Sequence, residues 1–184
     1  QEMSLEFGEQ FAKAEGTAFV SGNAVGKPEG FLTNSEIGTV NSGHASTLTA
    51  DGLISLYHEP KAEYAQNGTF VFSRSTLAAI RKLKTDSNDY VFQPGNQLSG
   101  GMVATILGAP YIQATDMPSV GAGNKPIAFG DFRRGYMIVD RVNLAILRDP
   151  FTQATSGNVR YVARKRIGGQ VIFPEAIKTQ TVSA

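Results

Sequence analysis

The 184 residues contain no cysteine and only two histidines, His44 and His58. The first absence excludes disulfides and thiolate metal sites. The second leaves two isolated imidazoles that match no zinc-binding spacing. His58 stands between Tyr57 and Glu59 at the polar end of an apolar stripe, where a capping or surface imidazole is the ordinary explanation. Long hydrophobic runs are also missing, and none approaches the ~20 residues that a bilayer-spanning helix needs. Nor is there much excess charge: 17 Lys and Arg face 16 Asp and Glu, a net charge of +1. That balance argues against a dedicated nucleic-acid binder and against an acidic solvating segment.

The balance hides a polarity. Residues 1–92 carry 7 basic and 11 acidic side chains, net −4, whereas residues 93–184 carry 10 and 5, net +5. A molecule charged this way can attract a second copy of itself head to side, although such asymmetry also arises within one chain without functional meaning. Glycine is abundant, with 20 residues against a usual share of ~7%. So many imply tight turns and close backbone approaches rather than a helical bundle. An apolar content of 41% over this length supports a real core, in one domain or two small ones.

Met3 or Leu5, Phe7, Phe11, Ala14 and Ala18 recur three to four apart, with Glu2, Glu6, Glu9, Lys13 and Glu15 at other positions. This predicts an amphipathic helix to about residue 15, closed by Gly16. No cap precedes it, so it reads as an element entered partway along. Gly22, Gly26, Pro28 and Gly30 predict a sharply turning connection, and residues 33–47 a loop or weak strand. Leu48, Leu53, Ile54, Leu56 and Tyr57 form a helical stripe that Pro60 stops. Asn67 and Gly68 turn into a strand at 69–72. Ser73 or Ser75 then caps a helix with Leu77, Ile80 and Leu83 on one face, ended by Asp86, Ser87, Asn88 and Asp89.

Residues 90–92 read as a short strand, 102–112 as extended structure broken around Gly108 and Pro110, and 116–126 as a long loop. A strand at 127–129 meets a Gly130-Asp131 turn, after which 135–139 and 142–147 read as β structure. Residues 158–167 alternate, with Val159, Tyr161, Ala163, Lys165 and Ile167 on one face and Arg160, Val162, Arg164 and Arg166 on the other. Gly168 and Gly169 separate this strand from Val171, Ile172 and Phe173, and 176–182 forms a last strand or tail. Helices set before and between antiparallel strands give an α+β fold. Phe70, Phe72, Phe129, Tyr136 and Phe173 are the core candidates.

No catalytic constellation emerges. Asp131 and Asp140 flank an expected hairpin, but Asp131 reads as a turn former and Asp140 as a partner for Arg141 or Arg133. The glycines from 22 to 30 follow a helix rather than a strand and lack a Gly-Lys-Ser or Gly-Lys-Thr, so neither a phosphate loop nor a dinucleotide fingerprint fits. The basic run Arg160, Arg164, Lys165 and Arg166 is the strongest electrostatic feature. Three readings stay open for it: a solvated strand face, ion pairing between subunits, and contact with nucleic-acid phosphates. A base-stacking platform is poorly supported, because Tyr161 projects away from Arg160 and Arg164. No catalytic, cofactor-binding or metal-ligating residue is assigned, and no cofactor is expected.

Several strings carry a resemblance. Glu15-Gly16-Thr17-Ala18-Phe19-Val20-Ser21-Gly22, followed by Gly26-Lys27-Pro28-Glu29-Gly30-Phe31-Leu32, resembles the stretch after the long spine helix of tailed-phage and prophage major capsid proteins. Residues 64–84, Leu107-Gly108-Ala109-Pro110 and Asp116-Met117-Pro118 continue the likeness in order. So do Ile127-Ala128-Phe129-Gly130-Asp131-Phe132 and Arg148-Asp149-Pro150-Phe151. That family shares its shell fold with herpesvirus capsid floors and encapsulins.

The resemblance implies a peripheral domain plus an axial domain, without the N-terminal arm and the extended loop. Residues 1–32 would be the end of the spine helix and its connection, 33–125 the axial domain and 126–167 peripheral-domain strands, with 168–184 returning to the axial domain. It further implies a non-enzymatic structural subunit that self-assembles into the icosahedral shell of a virion, in the cytoplasm of a bacterial host. Its partners would be copies of itself in pentamers and hexamers, and portal, scaffold or protease proteins during assembly. No membrane and only weak nucleic-acid contact are expected. Arg160, Arg164, Lys165, Arg166, Arg133 and Arg134 are then the candidates for subunit contact. The alternative from another class is a nucleic-acid-binding module that uses the basic strand 160–166.

Overall fold

The computed structural model describes residues 2–84, 89 and 105–184. It opens with helix α1 (Glu2–Ser21), which runs past the stop expected at Gly16. Glycine costs a helix interior about 1 kcal/mol, but the extra turn carries Val20 into the core and Phe19 edge-on to Tyr136 at 5.9 Å. Thr17 Oγ1 also donates to Asp116 Oδ1 at 2.6 Å, tying this last turn to a distant loop. The glycine-rich connection folds back on the helix end: Gly30 N–H donates to Gly22 C=O at 2.8 Å and Glu29 N–H to Gly169 C=O at 2.9 Å. Those amides are spent on the backbone, as expected of a connection rather than a ligand loop.

A six-stranded sheet forms the body. Its strands are β1 (Thr39–Asn41), β2 (Thr69–Phe72), β3 (Thr105–Ile106), β4 (Ala109–Gln113), β5 (Ile127–Gly130) and, from the end of the chain, Ile177–Thr181. The order is β1, the C-terminal strand, β5, β2, β4, β3. The C-terminal strand therefore lies in the interior, parallel to β1 and antiparallel to β5. Strand β5 pairs with β2 and with the C-terminal strand. Sheet membership thus changes between residues 130 and 136. All four β5 residues are buried, which explains their unbroken apolar run.

Helices α2 (Ala50–His58), α3 (Ala62–Ala65) and α4 (Arg74–Arg81) follow the sheet connections. Thr49 caps α2 by accepting from Gly52 N–H, and Ser73, of the two serines expected, caps α4 by accepting from Thr76 N–H. Leu53, Leu56, Leu77 and Ile80 from these helices pack on Phe70, Phe72, Ile127 and Phe129 in one core cluster. Val20, Phe31, Ile37, Met117, Ala128, Val171 and Ile177 form a second. Successive β5 residues point to opposite faces, so Ile127 and Phe129 serve the first cluster and Ala128 the second. The strand expected at 90–92 lies outside the described residues, as do residues 86–88 of the helix stop and residues 102–104 of the extended segment.

A short helix, α5 (Phe132–Gly135), then launches a separate two-stranded ribbon of β6 (Tyr136–Asp149) and β7 (Arg160–Val171), which makes the C-terminal sheet strand β8. Two expectations change here. The two β segments after residue 135 are one strand, with register shifts around Val142 where a break would fall. Strand β7 also runs through Gly168 and Gly169, which pair with Val139 and Ile138. A Cβ on Gly169 would stand 3.0 Å from the Phe19 ring, so glycine there lets α1 approach the ribbon rather than ending the strand.

Candidate interaction surface

The cross-strand partners sort the ribbon into two faces. Tyr136, Ile138 and Asp140 share one face with Ile167, Gly169 and Val171. That face meets α1: Phe19 packs on Tyr136, and Lys165 Nζ lies 2.6 Å from Glu15 Oε1, with only 22% and 17% of the two side chains exposed. The carboxylate accepting from Lys165 holds its ammonium above the ordinary lysine range. Tyr136 donates its hydroxyl to Glu29 C=O, and burial, helped by the Glu29 charge, pushes the phenol up to about 12. A groove of about 650 Å³ between α1 and the ribbon is lined by Phe11, Ala14, Ala18, Pro28, Val139 and Ile167, with Glu15 and Lys165 already paired in it.

The other face has nothing packed on it, and away from α1 the first face is open too, with Ile138 and Ile146 53% and 44% exposed. On the other face Met137, Val142 and Leu147 project beside Arg160 and Arg164, with Val139 and Arg166 at the edge where they also line the groove against α1; Val139 and Leu147 are 54% and 64% exposed. An isolated hairpin is marginal in water and a contiguous apolar patch is unusual on a free surface. Arginine and methionine among apolar side chains are also what protein interfaces are enriched in.

The six arginine and lysine candidates are therefore not one site. Arg160, Arg164 and Arg166 share the open face, whereas Lys165 points to α1 and is engaged within the chain. Arg133 and Arg134 are exposed on α5 and line a separate depression with Gln66, Asn67, Gly68, Pro110 and Asp131. Asp131 is the buried cap of α5, accepting at Oδ1 from Arg133 N–H (3.1 Å) and Arg134 N–H (3.3 Å). Asp140 sits on the ribbon, where no ion pair to Arg141 or Arg133 forms among the described residues.

The His58 ring lies edge-on to that of Tyr57 at 5.0 Å, and His44 Nδ1 accepts from Ser46 N–H at 3.2 Å. No group of acidic, histidine or cysteine side chains fit for a metal occurs among the described residues. Of the expected core aromatics, Phe70, Phe72 and Phe129 are fully buried and Tyr136 is half-buried, but Phe173 is 50% exposed. Periodicity alone missed the apolar half of the open face, because Met137, Val139 and Leu147 look like core until the ribbon is seen to leave the body. One ion pair spans ribbon base and body: Glu175 accepts from Lys61 Nζ (2.6 Å) and Tyr64 Oη (3.0 Å), which lowers the pKa of its carboxyl.

Comparison with known proteins bears on what such a surface is for. The family model described as the phage capsid family matches residues 1–182. The capsid of an empty GTA particle is 36% identical, with a TM-score of 0.87 over 99% of this chain and 65% of that one. A chain of Gordonia phage Cozz is 15% identical, with a TM-score of 0.71 over 99% and 62%. The holo-SrpI encapsulin complex from Synechococcus elongatus shares the fold at 18% identity, with a TM-score of 0.63 over 98% and 64%. No curated protein matches. The chain spans just under two thirds of the length of these solved relatives.

Proposed function

The chain belongs to the phage capsid family, and we propose that it is a shell subunit that tiles with copies of itself into a closed icosahedral capsid. The observation that carries this is the open ribbon face, where exposed Met137, Val139 and Leu147 stand among Arg160, Arg164 and Arg166. In this reading α1 and the ribbon are the peripheral domain. The six-stranded sheet with α2, α3 and α4 is the axial domain, to which β5 and β8 return. Each subunit makes heterologous contacts around fivefold and sixfold axes, so that different patches meet and closure accumulates many modest contacts. Portal, scaffold or protease proteins act on the assembling shell, which forms in the bacterial cytoplasm and ends in the virion. The subunit itself performs no chemistry.

The nucleic-acid reading has less behind it. Phosphate binding calls for cations facing water, whereas these arginines lie among apolar side chains that nucleic acid would leave wet. Expression of the full-length protein in bacteria, followed by gradient sedimentation and electron microscopy, tests the proposal. Closed shells of uniform diameter are expected. A protein that stays monomeric at every concentration and salt would overturn it.

A further inference from the structure

The open ribbon face needs an occupant, and the chain itself carries one of matching chemistry. Strands β6 and β7 hold six cations against two carboxylates, Asp140 and Asp149. Asp149 is already engaged with Thr152. Helix α1 is the reverse, with four glutamates against Lys13. Its inner side, with Phe7 and Phe11 partly covered, is distinct from an outer side where Leu5 is 67% exposed and Glu6 and Glu9 are open to solvent. Leu5, Glu9 and Ala12 fall four and three apart and share that outer side.

Within one molecule a single pair forms between the two sets among the described residues, Lys165 with Glu15. The ribbon shows α1 the side bearing Lys165, Gly169 and Tyr136, while Arg164 projects from the opposite side and Arg166 stands at the edge of the groove against α1. Among the described residues Arg164, Arg166, Glu6 and Glu9 have no ion-pair partner. We propose that the open face of the ribbon seats the outer, acidic side of α1 from a second copy of this chain, with Arg164 and Arg166 against Glu6 and Glu9 and Leu5 on the apolar strip of Val139, Val142 and Leu147.

This rests on the reading of the chain as a self-tiling subunit and names the surface that the ribbon meets. The contact is heterologous, since helix and ribbon are different patches, and it propagates around a ring. Burial of the apolar strip supplies attraction, and the charges set register and exclude a ribbon-to-ribbon approach. Charge pairs near the surface are screened beyond about 8 Å at physiological ionic strength, so the contact weakens with salt.

The test uses the full-length protein and a charge swap. Arg164→Glu with Arg166→Glu, and separately Glu6→Arg with Glu9→Arg, are each expected to abolish particles while the subunit keeps its thermal midpoint. The fourfold variant with both pairs exchanged is expected to restore them. Because the chain has no cysteine, mixed particles of Glu9→Cys and Arg164→Cys subunits should give a dimer with a short bis-maleimide, which reads the same contact even if a reversal variant fails to fold. Particles unaffected by both reversals, or no rescue together with no cross-linked dimer, overturn the proposal and leave the shell reading standing. A wild-type protein that never assembles takes both down. If the arginine reversal alone matters and abolishes salt-sensitive DNA retention, the face belongs to nucleic acid and the proposal is wrong.

Discussion

Lys165 Nζ and Glu15 Oε1 lie 2.6 Å apart and strap the first helix to the second strand of the ribbon. The pair is mostly shielded, so removing one partner strands the other in a poorly hydrated place. Lys165→Met and Glu15→Leu are each expected to lower the thermal midpoint, and the double variant to recover most of the loss, which a double-mutant cycle measures. The raised lysine pKa gives the sign with pH. The strap contributes in full below the unfolded lysine value of ~10.4 and is lost as pH rises through the higher folded value.

Tyr136 titrates in the alkaline range. Its phenol is held up at about 12 by burial and the nearby Glu29 charge, whereas an unfolded tyrosine ionises near ~10. Between those values the folded state alone keeps the proton, so stability falls as pH rises. Tyr136→Phe should cost about 1 kcal/mol at neutral pH through the lost hydrogen bond and flatten the decline between pH ~10 and ~12. Denaturant unfolding at several pH values checks both.

Phe129 is fully buried against Phe70, with ring centroids 4.4 Å apart. Phe129→Ala should cost ~3–5 kcal/mol. Phe173 is half exposed, and Phe173→Ala should change subunit stability by no more than about 0.5 kcal/mol. Equal losses in urea unfolding would show that Phe173 is buried in solution.

Gly130 ends β5 with φ +153, and a Cβ there would sit 2.1 Å from Ala176 C=O. Neither the backbone angle nor the β5–β8 spacing admits a side chain. Gly130→Ala is therefore expected to cost more than about 2 kcal/mol, by separating β5 from β8. Unfolding midpoints together with amide exchange of Ala128 and Thr179 would register it.

Much of this was legible along the chain. Pro60 and the Ser73 cap placed α2 and α4 because a missing N–H and a hydroxyl acceptor act within one turn of helix. The alternation of 160–167 placed Arg164 and Arg166 on one face and Lys165 on the other because strand geometry has period two wherever the strand lies.

The glycines are ambiguous along the chain because the same residue ends a helix, breaks a strand or makes room for a neighbour. Only the arrival of Phe19 over Gly169 and of Val20 in the core selects among these. Phe173 and Leu147 are as apolar as Phe129, and nothing local distinguishes a residue meant for the interior from one left outside by a projecting ribbon. Local chemistry determined the elements, their caps and the charge on each face, since those depend on neighbours within a few residues. Tertiary structure decided which apolar face is covered and which stays open, because that depends on what packs opposite, and for β5 and β8 the opposite strands lie far away in the chain.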